Sequence, residues 1–160
     1  KDFDDDFEEQ LAAFVALNTG VWVGEIDETT RKRLAKVIDN SYANGLSVDE
    51  TGVALRNTVI GMGVYRANLI SRTEVHRVAG FANETVAENM KINGTVKEWV
   101  AIQDERTRIT HSFAAGQRVA LDQPFIVGGE KLKYPGDPMG SAAETINCRC
   151  AAIYITPDFL

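Results

Sequence analysis

A chain of 160 residues that is 44% hydrophobic can bury one domain's core, alone or with a helical extension, and its charged fraction of 25% is ordinary for a globular protein. The net charge of −6 is local: six carboxylates within residues 1–10 face only Lys1 and account for −5, so the rest sums to −1 and offers no basic stripe to hold nucleic acid. No apolar run reaches the roughly 18–20 residues of a membrane span, and the start lacks a signal-peptide pattern. Two cysteines in a C-x-C pair are no disulfide framework, which fits a reducing compartment, and a chain opening on Lys1 rather than Met fits a piece of something longer.

Residues 1–20 turn from an acidic start into an apolar-periodic helix, with Phe7, Leu11, Phe14, Val15 and Leu17 recurring at three and four and Gly20 as the stop. Asp4, Asp5 and Asp6 read as a solvated helix start; as calcium ligands they lack the glycine and spaced oxygens of a known loop. A second helix is expected from about Glu28 to Ala43, capped by Asp27, ended by Gly45, and striped by Ile26, Leu34, Val37, Ile38 and Tyr42. Ser47 and Glu50 form a capping-box signature for a third helix over about 48–58, with Val48, Val53, Leu55 and Val59 as its apolar residues. Gly61-Met62-Gly63 breaks the pattern before a long helix over 64–91, along which Tyr65, Leu69, Arg72, His76 and Ala79 step by three or four. Gly80 inside it implies a bend or a close packing contact.

After Gly94 the pattern changes. Residues 96–102 are β-prone without strict alternation, 104–115 form a short helix or turn, and 118–121 and 124–127 are short strands. Gly128-Gly129 signals a two-residue hairpin before 130–134, residues 135–145 read as loop, and 147–156 as the last strand. The whole is α+β: a helical N-terminal half packed on a small antiparallel sheet in the C-terminal half. The expected division is a helical extension over 1–60 and a domain over 61–160.

Three groups of residues carry chemistry. Arg72 and Glu74 read as an ion pair or as site residues. If 104–115 is helical, Asp104, Arg108 and His111 share one face, either as a catalytic trio or as a polar network pinning this turn in place. On a final strand, Cys148 and Cys150 point to one face and Asn147 and Arg149 to the other. Two thiolates on one face suit zinc, with His111 as third ligand and a carboxylate, water or His76 as the fourth. The alternatives are two core-facing thiols, or Cys148 or Cys150 as a nucleophile with His111 as base and Asp104 as orienter. The cofactor expectation is therefore none or a single zinc. Without metal, His111 is expected to donate to Asp104 or a carbonyl, and Arg149 to meet Glu74 or Glu144. Pro135-Gly136-Asp137-Pro138 has the composition of a rigid turn.

Taken in order and rough spacing, Arg72-Thr73-Glu74, Trp99, Asp104 through Arg108, His111, Gly116, Phe125, the P-G-D-P turn, Glu144 and Asn147-Cys148-Arg149-Cys150 resemble the phage Mu F-like (SPP1-type) head morphogenesis domain over about residues 55–155. The resemblance implies a minor capsid protein of phage or prophage, present in few copies, associated with the portal vertex and packaged in the head. It implies portal and other head proteins as partners, and a virion location after assembly in the host cytoplasm. Contact with packaged DNA is open but unsupported by any basic patch, and no membrane is involved. The family pattern carries over to Arg72, Glu74, Asp104, Arg108, His111, Asn147, Cys148, Arg149 and Cys150 as a fold core. Related domains occur fused to portal proteins or toxin modules. The competing class is thus a toxin-like enzyme acting on a nucleotide or nucleic acid through Arg72/Glu74 and Asp104/His111.

Overall fold

The computed structural model describes residues 3–24, 26–59 and 61–159. The chain divides into two compact units, residues 1–78 and 79–160, with the long helix contributing to each. Among the described residues no helix is long and apolar enough to cross a membrane.

The first unit holds α1 (Phe3–Asn18), α2 (Glu28–Ala43), α3 (Val48–Thr58) and the first part of α4 (Val64–Met90). Its helix starts are those the capping residues dictate. Asp27 Oδ1 accepts from Thr30 N at 2.6 Å, and Ser47 and Glu50 close a reciprocal capping box. Asp4, Asp5 and Asp6 form the exposed first turn of α1. The core takes Leu11, Val15, Leu34, Val37, Ile38, Leu55, Ala67 and Ile70, whereas Leu17, Tyr42, Val53 and Tyr65, though on the apolar pattern, are exposed. Gly20, at φ +71, turns the chain out of α1, and its N–H donates to Glu74 Oε1 on α4 at 3.1 Å.

In the second unit β1 (Val96–Val100) is the central strand, flanked antiparallel by β2 (Arg118–Ala120) and β5 (Ala151–Ile155). A separate hairpin pairs β3 (Phe125–Val127) with β4 (Glu130–Leu132). The expected single sheet is thus two, and several elements are shorter than expected or differ in kind. The last strand begins at Ala151 rather than 147, and the 135–145 loop contains a helical turn, α6 (Ala142–Thr145). The P-G-D-P turn is rigid because the buried Asp137 accepts from Lys133 N at 2.7 Å and Met139 N at 2.9 Å. Gly80 proves to be a close packing contact: a Cβ there would stand 2.8 Å from the Tyr134 ring and 2.9 Å from the Pro135 carbonyl oxygen.

The irregular alternation of β1 has a physical cause. Its two buried positions are Lys97 and Trp99, so a lysine takes one of the inward places. Lys97 Nζ lies 2.5 Å from Glu84 Oε1 of α4 and 2.8 Å from the Lys133 carbonyl oxygen, and it sits over the Phe125 ring. Tyr154, opposite Lys97 in register, donates to the second oxygen of Glu84 at 2.9 Å. Burial raises the pKa of Glu84 and the Lys97 ammonium opposes that rise. We expect Lys97→Met alone to destabilise the fold by about 3–5 kcal/mol, because it strands Glu84 as an uncompensated buried charge. Adding Glu84→Gln should recover most of the loss. Urea unfolding of the two variants beside wild type checks both, and a single variant as stable as wild type would remove Lys97 from the fold's requirements.

Candidate functional site

The inward residues of the second unit converge on His111. The short helix α5 (Ile109–Ala114) buries His111 and Ala114 and exposes Ile109 and Phe113. Arg108 precedes it at the cap position, and its guanidinium donates to the Ile146 carbonyl. His111 Nε2 lies 3.0 Å from Glu144 Oε2, while Nδ1 lies 3.2 Å from Cys150 Sγ and 3.7 Å from Cys148 Sγ. Trp99 stands edge-on to the imidazole at 5.5 Å and to Phe125 at 5.3 Å. With Phe125, Val127, Leu132 and Ala114, Trp99 and the two cysteines make one buried apolar cluster around these polar atoms.

Asn147 and Glu144 explain how the last segment reaches the imidazole. Asn147 takes φ +55, a left-handed conformation that asparagine tolerates better than most residues, and so turns the chain out of α6. Residues 148–150 then alternate sides ahead of β5: Cys148 and Cys150 are buried, and Arg149 reaches outward. Ser141 and Glu144 carry a capping-box spacing, yet Ser141 makes no side-chain cap. Glu144 turns its carboxylate instead to His111 and to the Thr110 hydroxyl at 2.9 Å.

An ionised carboxylate only accepts, so Nε2–H donates to Glu144 and, in the neutral ring, the Nδ1 lone pair faces the sulfurs. Burial opposes the charged imidazole, but the Cys148 sulfur outweighs it and Glu144 adds to the effect, so the pKa of His111 stands above its ordinary value. The Cys150 thiol is pushed well up, first by its hydrogen bond with Cys148 and then by burial. Thiol, imidazole and carboxylate thus stand in the order a cysteine nucleophile needs. Both sulfurs, however, are 2–3% exposed and Cys150 is held as a thiol, which is the environment of an inert cysteine.

The other predicted residues lie elsewhere. Residues 104–107 are a turn outside α5, so Asp104, Arg108 and His111 do not share a helical face. Asp104 does not orient His111; it forms a bidentate pair with Arg149 at 2.7 and 2.5 Å and accepts from Arg106 N. That pair lowers the pKa of Asp104 and gives Arg149 a partner other than the expected Glu74 or Glu144. In the first unit Arg72 is exposed, and the buried Glu74 has the Arg77 guanidinium at 3.6 Å. Glu74 also accepts from Trp22 Nε1 at 2.6 Å, and burial raises its pKa. His76 belongs to the same unit.

Gly128 completes the site. Gly128 and Gly129 have φ +58 and +84, the pair of positive values a type I′ hairpin turn requires, and a Cβ on Gly128 would run into the Glu144 carboxylate. A Cβ on Gly129 would meet nothing within 4 Å. Gly129→Ala should therefore cost only the strained backbone, about 1–3 kcal/mol, and Gly128→Ala measurably more because it also displaces Glu144 from His111. Chemical denaturation of both variants measures the difference, and equal losses would mean that the turn does not depend on the room it leaves for Glu144.

Residues 15–153 match the model of a family described as Phage Mu protein F like protein, which takes in most of the helical region as well as the segment containing His111. The chain is 36% identical over 135 residues to minor head protein GP7 of Bacillus phage SPP1, covering 80% of this chain and 43% of that protein. It is 30% identical over 130 residues to the NAD(+)--arginine ADP-ribosyltransferase EFV of Enterococcus faecalis, covering 78% of this chain and 26% of that protein. The chain thus spans less than half the length of either relative. No solved structure matches it significantly. A family match over residues 15–153, most of the chain, makes this chain a member of the Phage Mu protein F like family.

Proposed function

We propose that this chain acts in phage head morphogenesis as a minor head protein, present in few copies, with the portal and other head proteins as partners and the virion as its destination. The observation that carries this reading is the 36% identity to the SPP1 minor head protein over 80% of the chain, within a family match over residues 15–153. The polar groups are consistent with it. Glu74, Glu84, Lys97, His111 and Glu144 are buried and committed to neighbouring groups, and Asp104 is tied to Arg149. Such groups hold a scaffold together rather than wait for a substrate.

The Enterococcus faecalis relative is named for a transferase activity, but this chain matches 26% of it, and no feature of the structure favours carrying that activity over. Of the groups the toxin-like reading drew on, Asp104 pairs with Arg149 rather than His111, and Glu74 is buried.

The test is genetic and compositional. In the phage or prophage that encodes the chain, quantitative mass spectrometry of purified particles should find it at few copies per head, and tagged protein should co-purify with the portal. Deleting it should leave heads that assemble but are poorly infectious or lack cargo. Particles that never contain the chain, together with normal infection by the deletion strain, would overturn the reading.

A further inference from the structure

Among the described residues, one group places metal-ligating atoms together: His111, Cys148 and Cys150, each buried, with their donor atoms all within 4.8 Å of one another. We propose that these three residues bind a single zinc ion, with Cys148 and Cys150 as thiolate ligands, Nδ1 of His111 as the third, and a water or other small ligand from solution as the fourth. This goes beyond the head-morphogenesis reading and does not depend on it.

The distances come first. A tetrahedral zinc with sulfur ligands at about 2.3 Å and nitrogen at about 2.0–2.1 Å holds its nitrogen and sulfur donors about 3.5 Å apart. The observed separations from Nδ1 are 3.2 Å to Cys150 and 3.7 Å to Cys148, on either side of that value. The orientation of the ring comes second. Nε2 is engaged by Glu144 at 3.0 Å, which leaves the Nδ1 lone pair toward the sulfurs. A carboxylate behind the imidazole is the usual arrangement of a metal-bound histidine, since it fixes the tautomer and strengthens the donor.

A third observation comes from Trp99. Its Nε1–H is fully buried, has no hydrogen-bond partner, and lies in the same buried cluster as Cys148 and Cys150. A protonated thiol is a weak acceptor for that N–H; a metal-bound thiolate is a strong one. Charge then balances inside the cluster, because two thiolates and a neutral imidazole offset a divalent cation. Burial that is adverse to a lone thiolate becomes tolerable for the complex. Binding is a coordination step without redox change: two S–H bonds break, two Zn–S bonds form, and two protons leave to solvent. A soft S₂N donor set in this geometry favours zinc over the hard cations.

The experiment uses the full chain. Protein expressed in zinc-supplemented medium and purified in reductant without chelator should contain about one zinc per chain by elemental analysis. Exchanged with cobalt, it should show the visible bands of a tetrahedral site and thiolate-to-cobalt charge transfer in the near ultraviolet, saturating at one equivalent and lost on adding zinc. Cys148→Ser and Cys150→Ser should each weaken the charge-transfer band, and His111→Cys should keep binding and strengthen it. Glu144→Gln should keep the spectrum while weakening affinity about 10- to 100-fold, which separates a positioning residue from a ligand. Wild-type protein without stoichiometric metal that also fails to give charge-transfer bands would overturn the proposal, and this needs no variant to fold. Bands unchanged in both serine variants, or cysteines that alkylate equally fast with and without saturating zinc, would also overturn it.

Discussion

A lysine ammonium with no exposed surface must be neutralised where it lies, and Lys97 imposes that requirement on the whole second unit. It occupies an inward position of the central strand, so the answering carboxylate has to come from the helix that covers it, and Glu84 of α4 provides it. Two further groups are held in place by the same pair. Tyr154 caps the second oxygen of Glu84 from β5, and the Lys133 carbonyl takes another ammonium proton from the segment after β4. The helix, the central strand, the edge strand and the end of the hairpin are therefore joined through four polar groups in one dry place. An apolar residue in place of Lys97 would bury as much surface but would not specify which elements meet.

Trp99, two residues along the same strand face, does for the other end what Lys97 does for the first. Its ring packs edge-on against both His111 and Phe125, and so joins α5 to the β3–β4 hairpin. The imidazole can be buried there because Glu144 answers one nitrogen and the sulfurs the other. In the first unit Glu74 works in a comparable way. One carboxylate oxygen accepts from Gly20 N and Trp22 Nε1, so the turn after α1 is fastened by an acid on α4. Asp137 is likewise a buried acid answered by backbone N–H groups, those of Lys133 and Met139.

Local chemistry was the most legible part of the sequence. Asp27, and Ser47 with Glu50, start their helices as their side chains dictate, because a cap needs only neighbours within four residues. The paired glycines of the hairpin were equally plain, since positive φ at adjacent positions leaves few other choices. What escaped is what depends on distant partners. Periodicity placed Leu17 and Tyr65 with the buried residues, but a period marks a face and not what covers it, and both are exposed. Residues 104–115 were legible only as a short helix or turn, and only the helical alternative put Asp104 on the face of His111. In the structure Asp104 lies in the preceding turn, where a bidentate guanidinium from Arg149, far along the chain, competes for it. The Ser141 to Glu144 spacing was a readable sign of α6, whereas the diversion of Glu144 to His111 rests on the hairpin and α5 arriving together.

The C-x-C pair shows how a right placement can follow from an inexact premise. The alternation argument assumed a strand from 147, and the strand begins at Ala151. Alternation nevertheless survives through 148–150, because what sends side chains to opposite sides is extended backbone and not a hydrogen-bonded ladder. Asn147 sets the phase. One left-handed residue after α6 decides which side of the following segment faces the core, and a residue more or fewer there would turn Arg149 inward and both thiols out. An inward Arg149 would lose Asp104 and need a buried carboxylate, while Glu144 already answers His111. The N-C-R-C motif is therefore a single constraint in four residues: a turn, two inward sulfurs meeting one imidazole, and an outward guanidinium that can sit nowhere else.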